Sequence, residues 1–403
     1  MIYVCTFILL LLCMGIYRYK PDILSPALIQ PLLWGFMLGG ASLLENTFFE
    51  LPTSTVLVYT IGSLLFLGGF WLASGLAPRD GGYGYVTVVQ EEHTRNFRNV
   101  LFFVVLFILP FYIRTGYALA STGPVDDFAT NLRYSLTESN DYEEGYGLLG
   151  YGVTLSLFLV SLEAAYYNSN EKRRLVASTL IAITFCVLST GRTYMFLLLL
   201  CFFVPLITTG RVKAGKGILV LAGIFFILFF LYAVVLAKDG GGGSDAFIQV
   251  VSVYLYGAIF AFAKLTQTMN DYDGGMNLFR TIFAIARKFD PSIEVKSIIE
   301  EYVFTPFPTN VYTVFGKAYR DFGVIGTGIY MLFIGYLQGH IYSRAKLGST
   351  YYQLAFTFTM FPLLMQFFQD QYFGLLSTWV QWILLIFLFR RCTRRGAAKH
   401  WVG

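Results

Sequence analysis

Charge is what this chain has least of. Asp, Glu, Lys and Arg make up only 13% of its 403 residues, about half the share of an ordinary soluble domain, so a two- or three-domain soluble enzyme is excluded. Histidine is scarcer still, with three residues. The five cysteines (Cys5, Cys13, Cys186, Cys201 and Cys392) all lie in apolar runs or in the basic C-terminal tail. No disulfide is expected from that placement, and no spacing of Cys, His or Met fits a metal cluster. A cleavable leader is not expected either: MIYVCTFILLLLCMGIY has an apolar core but neither a basic start nor a small-residue cleavage site, and it reads as a retained span.

What is present is apolar length. The chain is 56% hydrophobic with a mean hydropathy of +0.62. Eleven runs are long enough to cross about 30 Å of hydrocarbon: 2–17, 27–44, 55–77, 99–120, 147–167, 175–190, 193–209, 217–237, 322–342, 351–369 and 372–389. The expectation is an all-α polytopic integral membrane protein. Its orientation follows from the basic residues that flank the runs. With the N-terminus outside and the C-terminus inside, the inside segments carry 18 of the 29 Lys and Arg, including Arg95, Arg98, Lys172, Arg173, Arg174 and the tail RRCTRRGAAK. The net charge of +5 is therefore topological, and no nucleic-acid partner is read from it. In this topology His93, His340 and His400 fall on the inside or its edge, so no exterior Ser/His/Asp set can be assembled.

Three regions follow. Residues 1–237 form a bundle of eight spans with a polar, acidic outside loop at 121–146; residues 238–321 form a large outside loop; residues 322–403 hold three spans and the basic tail. The large loop opens on AKDGGGGSD, a flexible hinge by composition. It continues into FIQVVSVYLYGAIFAFAKLTQ, read as a helix lying on or dipping into the membrane. Further on, GMNLFRTIFAIARKF spaces Leu278, Ile282, Ile285 and Phe289 on one helical face, away from Arg280 and Arg287. Long loops on one side point to work done on that side. A carrier would more often place charge within its spans, and here Glu163 is the one clearly intramembrane acid.

Two strings carry chemistry. STGRTYMFLLLL places Arg192 at the tip of a hairpin between spans six and seven, at outer headgroup depth. There it either snorkels to lipid phosphates or binds the phosphate of a lipid-linked substrate, for which a planar guanidinium fork is suited. Arg114, Arg133, Arg280, Arg287, Lys288 and Arg320 are also outside, and several could converge on one diphosphate. The second string is PTNVYTVFGKAYRDFGVIGTGIY. Asn310, Tyr312 and Tyr319 offer amide and ring faces to a sugar, with glycines at 323, 326 and 328 for close backbone packing. Asp321, Glu300 and Glu301 are candidate bases for a sugar hydroxyl, and Asp321 serves equally as a helix N-cap. The DYD at 271–273 has the two-acid spacing of metal-dependent glycosyltransferases, which a polar turn explains as well. GGGGSD lacks the lysine of a phosphate loop.

With STGRT between two short spans, a long late outer loop and TNVYTVFGKAYRDFGVIGTG before the next span, the chain resembles the O-antigen polymerases (Wzy type). The resemblance implies a GT-C-like bacterial inner-membrane glycosyltransferase. Such an enzyme moves a growing glycan from undecaprenyl diphosphate onto an undecaprenyl-diphosphate-linked repeat unit, on the periplasmic face, beside a chain-length co-polymerase. It also implies Arg192, Arg320 and Asp321 as catalytic residues, Arg192, Arg280, Arg287 and Arg114 on diphosphate, and Asn310, Tyr312 and Tyr319 on glycan. No cofactor is implied, because fixed arginines can meet the leaving group's charge without a metal. An O-antigen ligase, whose large outer loop would carry a functional histidine that this loop lacks, and a lipid-linked oligosaccharide flippase remain as alternatives.

Overall fold

The computed structural model describes residues 1–75, 92–121, 127–137, 145–224, 244–269, 271–297 and 299–397. Where water is absent, each main-chain N–H and C=O must be satisfied within its own segment, so long apolar runs become helices. Each of the eleven runs overlaps one: α1 (Ile2–Tyr19), α2 (Pro26–Leu43), α3 (Thr53–Gly75), α4 (Glu92–Ser121), α6 (Tyr151–Ala165), α7 (Lys172–Leu188), α8 (Arg192–Thr208), α9 (Ala214–Ile224), α12 (Phe315–Lys346), α13 (Thr350–Leu364) and α14 (Leu376–Ala397). Among the described residues, six helical segments are long and apolar enough to cross a membrane: α1, α2, α3, α4, Gly147–Ala165 and α12. The loops contribute α5 (Phe128–Thr137), α10 (Ser244–Thr268), α11 (Arg280–Ala286) and a two-residue antiparallel ladder, β1 (Val303–Phe304) with β2 (Pro308–Thr309). The glycine hinge at 240–243 lies outside the described residues.

The chain divides into two compact units. The first comprises Met1–Asp80, Ala222–Arg344 and Thr359–Ser377. Its core is aromatic. Trp34 of α2 stacks on Tyr59 of α3 at 4.7 Å, Phe315 meets both edge-on, and Phe262 of α10 lies against Tyr59 and Tyr319. The polar atoms of these rings find partners, as buried donors must. The Trp34 indole N–H donates to Gln366 Oε1 at 3.1 Å, and the Tyr59 hydroxyl donates to the Ile259 carbonyl at 3.3 Å. Within this unit α10, the helix read as lying on or dipping into the membrane, is packed as core over residues 258–263, each almost wholly buried.

Against α3, α12 packs backbone to backbone. A Cβ built on Gly335 would overlap the Phe66 carbonyl oxygen, and one on Gly69 would overlap the Leu332 carbonyl oxygen. This is the close approach that small residues permit; Gly339 makes it too, over the Phe70 carbonyl, and of the glycines expected at 323, 326 and 328, Gly328 lies close against the Leu65 side chain of α3. Gly323 instead breaks α12, with φ 64° and ψ −158°. Glycine adopts that conformation without strain, and the Tyr272 ring fills the space a side chain would need.

The second unit comprises Gly81–Leu221, Ala345–Phe358 and Thr378–Gly403. Its centre is α6, buried at 152–165 except Leu155 and packed by α4, α7 and α8. Glu163 is not a lone acid. It accepts both Nε (3.2 Å) and Nη2 of the fully buried Arg98 and Nε of Arg174 (2.9 Å); Arg98 also reaches Glu171 (2.7 Å), and Arg174 reaches Asn99. Four charges thus cancel inside the unit and tie α4 to α6 and α7.

Candidate functional site

The first eight residues of α12, up to its break at Gly323, carry most of the chemistry in the first unit. Lys317 and Arg320 are three residues apart, so they share one side of this short helix. The Arg320 guanidinium carbon lies 4.4 Å from the centre of the Tyr312 ring, and its Nη2 lies 3.5 Å from Glu300 Oε2. The Tyr312 hydroxyl donates to the Glu301 carbonyl at 3.0 Å, which fixes the 300–301 segment beside the helix. The cluster is shielded: the Glu300 side chain is 8% exposed and that of Arg320 16%. Burial pushes the Glu300 carboxyl above the ordinary range, Arg320 and Lys317 oppose that shift, and Asp370 and Asp321 add to it.

Asp321 is expected as a base or as the N-cap of the helical stretch that follows the break at Gly323; its carboxylate takes none of the N–H groups that open that stretch. Its Oδ1 accepts the Asn277 main-chain N–H (3.1 Å) and Nδ2 (2.7 Å), and its Oδ2 accepts the Leu278 N–H (2.6 Å). Those bonds hold the 273–279 turns onto α12. Asp273 adds to the clamp: its N–H donates to the Arg320 carbonyl (3.0 Å), and its carboxylate takes Lys296 (3.1 Å) and Asn277 Nδ2 (2.9 Å). Burial opposes ionisation of Asp273, but Asn277, Lys296 and Arg320 outweigh it and hold the carboxyl below its usual range. The DYD string is thus part of a loop anchor.

The remaining expected residues are scattered. Arg280 donates through Nε to the Lys296 carbonyl at 2.7 Å, which secures the same loop, while Arg287 is exposed at the end of α11. That helix is only Arg280–Ala286. Leu278 precedes it and is buried, whereas Ile282, Ile285 and Phe289 are exposed, so the expected continuous apolar face is not formed. Tyr319 packs edge-on to Phe262 in the core, and Asn310 is half-buried after β2. Arg114, exposed on α4, and Arg192, the first residue of α8, belong to the second unit. Glu300 is one of the three carboxylates the sequence offers as a base, whereas Lys317 was not among the expected residues. The signal for Lys317 is its spacing of three from Arg320 within GKAYRDF.

Similarity to known proteins bears on what this cluster serves. The chain is 25% identical over 384 residues to an O-antigen polymerase of Shigella dysenteriae, covering 92% of this chain and 93% of the relative. It is 22% identical over 256 residues to a putative O-antigen polymerase of Escherichia coli strain K12, covering 61% of this chain and 60% of that one. No solved structure matches it. The family model for putative O-antigen polymerases matches residues 2–361, which takes in most of each unit and the Lys317–Arg320 cluster, and the chain belongs to that family.

Proposed function

We propose that this protein polymerises O-antigen by transferring a growing glycan from undecaprenyl diphosphate onto an undecaprenyl-diphosphate-linked repeat unit, at the periplasmic face of the inner membrane. The observation that carries the reading is the half-shielded pair Lys317 and Arg320 with an aromatic ring and a carboxylate beside it, in a chain of this family. A diphosphate leaving group arrives already activated. What the protein must supply is fixed positive charge where negative charge grows, held where water does not screen it. Arg320, propped on Tyr312, and Lys317 supply it in the first unit, and Tyr312 remains a proposed contact to glycan. In the first unit Arg280 and Arg287 remain proposed contacts to diphosphate, with Asn310 and Tyr319 to glycan; in the second, Arg192 and Arg114 are proposed phosphate contacts.

The eleven-span, GT-C-like arrangement with an outside loop over 238–321 belongs to this proposal, and so does a chain-length co-polymerase as partner. The lack of histidine across 238–321 favours the polymerase over a ligase. Deletion of the gene with analysis of the surface glycan tests the reading. Loss of the polymer ladder, with single repeat units still exported and attached, is the expected result; an intact ladder overturns it. Arg320→Ala should then lower ladder formation by about 10²- to 10³-fold.

A further inference from the structure

We propose that Glu300 is the general base of the transfer, taking the proton from the acceptor sugar's hydroxyl as that oxygen attacks the donor's anomeric carbon. The inference rests on the polymerase reading and deepens it. The other carboxylates around the start of α12 are committed elsewhere or lie open to solvent. Asp321 accepts three N–H groups from Asn277 and Leu278. Asp273 is bound by Lys296 and Asn277. Asp370 accepts the Tyr330 hydroxyl (2.7 Å) and the main-chain N–H groups of Tyr372 (2.9 Å) and Phe373 (3.3 Å). Glu301 is exposed. Glu300 is different: Oε2 is buried and faces Arg320 Nη2 at 3.5 Å but accepts no hydrogen bond, and the Nε of Arg320 is likewise buried and without a hydrogen-bond partner.

A buried acceptor and a buried donor left open side by side are unfavourable in the free protein. They are matched by a ligand that brings both a hydroxyl to donate and an anionic oxygen to accept. An acceptor sugar beside a sugar-linked diphosphate brings both. In the step, the acceptor oxygen forms its bond to the anomeric carbon as the bond from that carbon to the diphosphate oxygen breaks. The electron pair leaves with the lipid diphosphate, against Arg320 and Lys317. The hydroxyl proton passes to Glu300 and from there to water.

The groups that set the titration of Glu300 are Lys317, Arg320 and Asp321 on α12 and Asp370 on the segment after α13. Burial raises its pKa, which makes it the stronger base. The sign follows: the base works deprotonated, so activity falls as pH drops through its pKa, and that acid limb lies above the ordinary glutamate range.

The test uses the full-length protein in membranes with lipid-diphosphate-linked repeat units, measuring initial polymerisation rates against pH for the wild type, Glu300→Gln and Glu300→Asp, each matched for amount and thermal midpoint. Glu300→Gln is expected to lose about 10²- to 10⁴-fold in rate and to lose the acid limb. Glu300→Asp, whose carboxylate is retained but drawn back, is expected to fall between and keep the limb. Rates near wild type from Glu300→Gln overturn the proposal. So does a loss with the acid limb intact, which would make Glu300 only a prop for Arg320. Should Glu300→Gln fail to accumulate, a wild-type rate from Glu300→Asp overturns it instead. If the wild type itself makes no polymer, it is the polymerase reading that fails, and the two failures are distinct.

Discussion

Asp321 and Asn277 are 44 residues apart, yet one carboxylate oxygen of Asp321 takes both the main-chain N–H and the side-chain amide of Asn277. The second oxygen takes the N–H of Leu278. A carboxylate so occupied acts by position: it ties the 273–279 turns to the residue next to Arg320.

Asp321→Asn should therefore destabilise the first unit. An amide keeps one acceptor but turns an NH2 group toward a main-chain donor, and hydrogen bonds to a charged group are worth about 1.5 to 3 kcal/mol each. A lowered thermal midpoint in detergent, with polymer yield falling alongside, is the expected outcome. Activity lost at an unchanged midpoint would instead return Asp321 to the chemistry.

The packing of α3 on α12 allows a sharper substitution. Gly335 lies over the carbonyl of Phe66 with no room for a Cβ, whereas a Cβ on Gly68 would make only ordinary contact with the Leu332 side chain at 3.8 Å. Gly335→Ala should cost about 1 to 3 kcal/mol through forced backbone separation, and Gly68→Ala should be near neutral. Equal melting behaviour of the two variants would refute the close crossing.

In the second unit, Glu163→Gln leaves Arg98, which is wholly buried, without its main counter-charge. Breaking one partner of a buried pair costs about 3 to 5 kcal/mol, because the other charge remains desolvated. The level of folded protein in membranes should drop steeply. Replacing Arg98 by Met in the same chain should restore part of it, and a Glu163→Gln variant of normal abundance would show the cluster to be dispensable.

The helices were legible because an apolar run long enough to span has one way to satisfy its backbone, so all eleven runs overlap helices. Their packing was less so. Gly335, Gly339 and Gly69 are three glycines among 39, and only the four-residue spacing of the first two hints that they meet another backbone. The roles of the acids were hidden for the same reason. Asp321 and Glu300 look alike as residues, but their chemistry depends on partners 44 and 20 positions away, Asn277 and Arg320 respectively. The burial of 258–263 in α10 was not legible, since Gln249, Ser252 and Lys264 break the apolar run at intervals. Lys264 in fact reaches the Phe304 carbonyl from the end of a helix whose middle is core.

Arg192 offers the last test. It opens α8 directly after Gly191 and after Thr190, whose φ of 52° is the one left-handed value at a non-glycine residue among the described residues. A β-branched residue held there is strained, so the turn before Arg192 departs from the residue's local preference. If Arg192 binds the diphosphate as the leaving group departs, its loss should remove roughly 2 to 4 kcal/mol of transition-state stabilisation, about thirty- to a thousandfold in rate. Arg192→Lys keeps the charge but not the two-pronged fork and should be impaired. An anchor to lipid phosphates predicts otherwise, since lysine snorkels as well as arginine. Polymer ladders from Arg192→Ala and Arg192→Lys at matched membrane levels decide between them: two normal ladders would reduce Arg192 to an anchor.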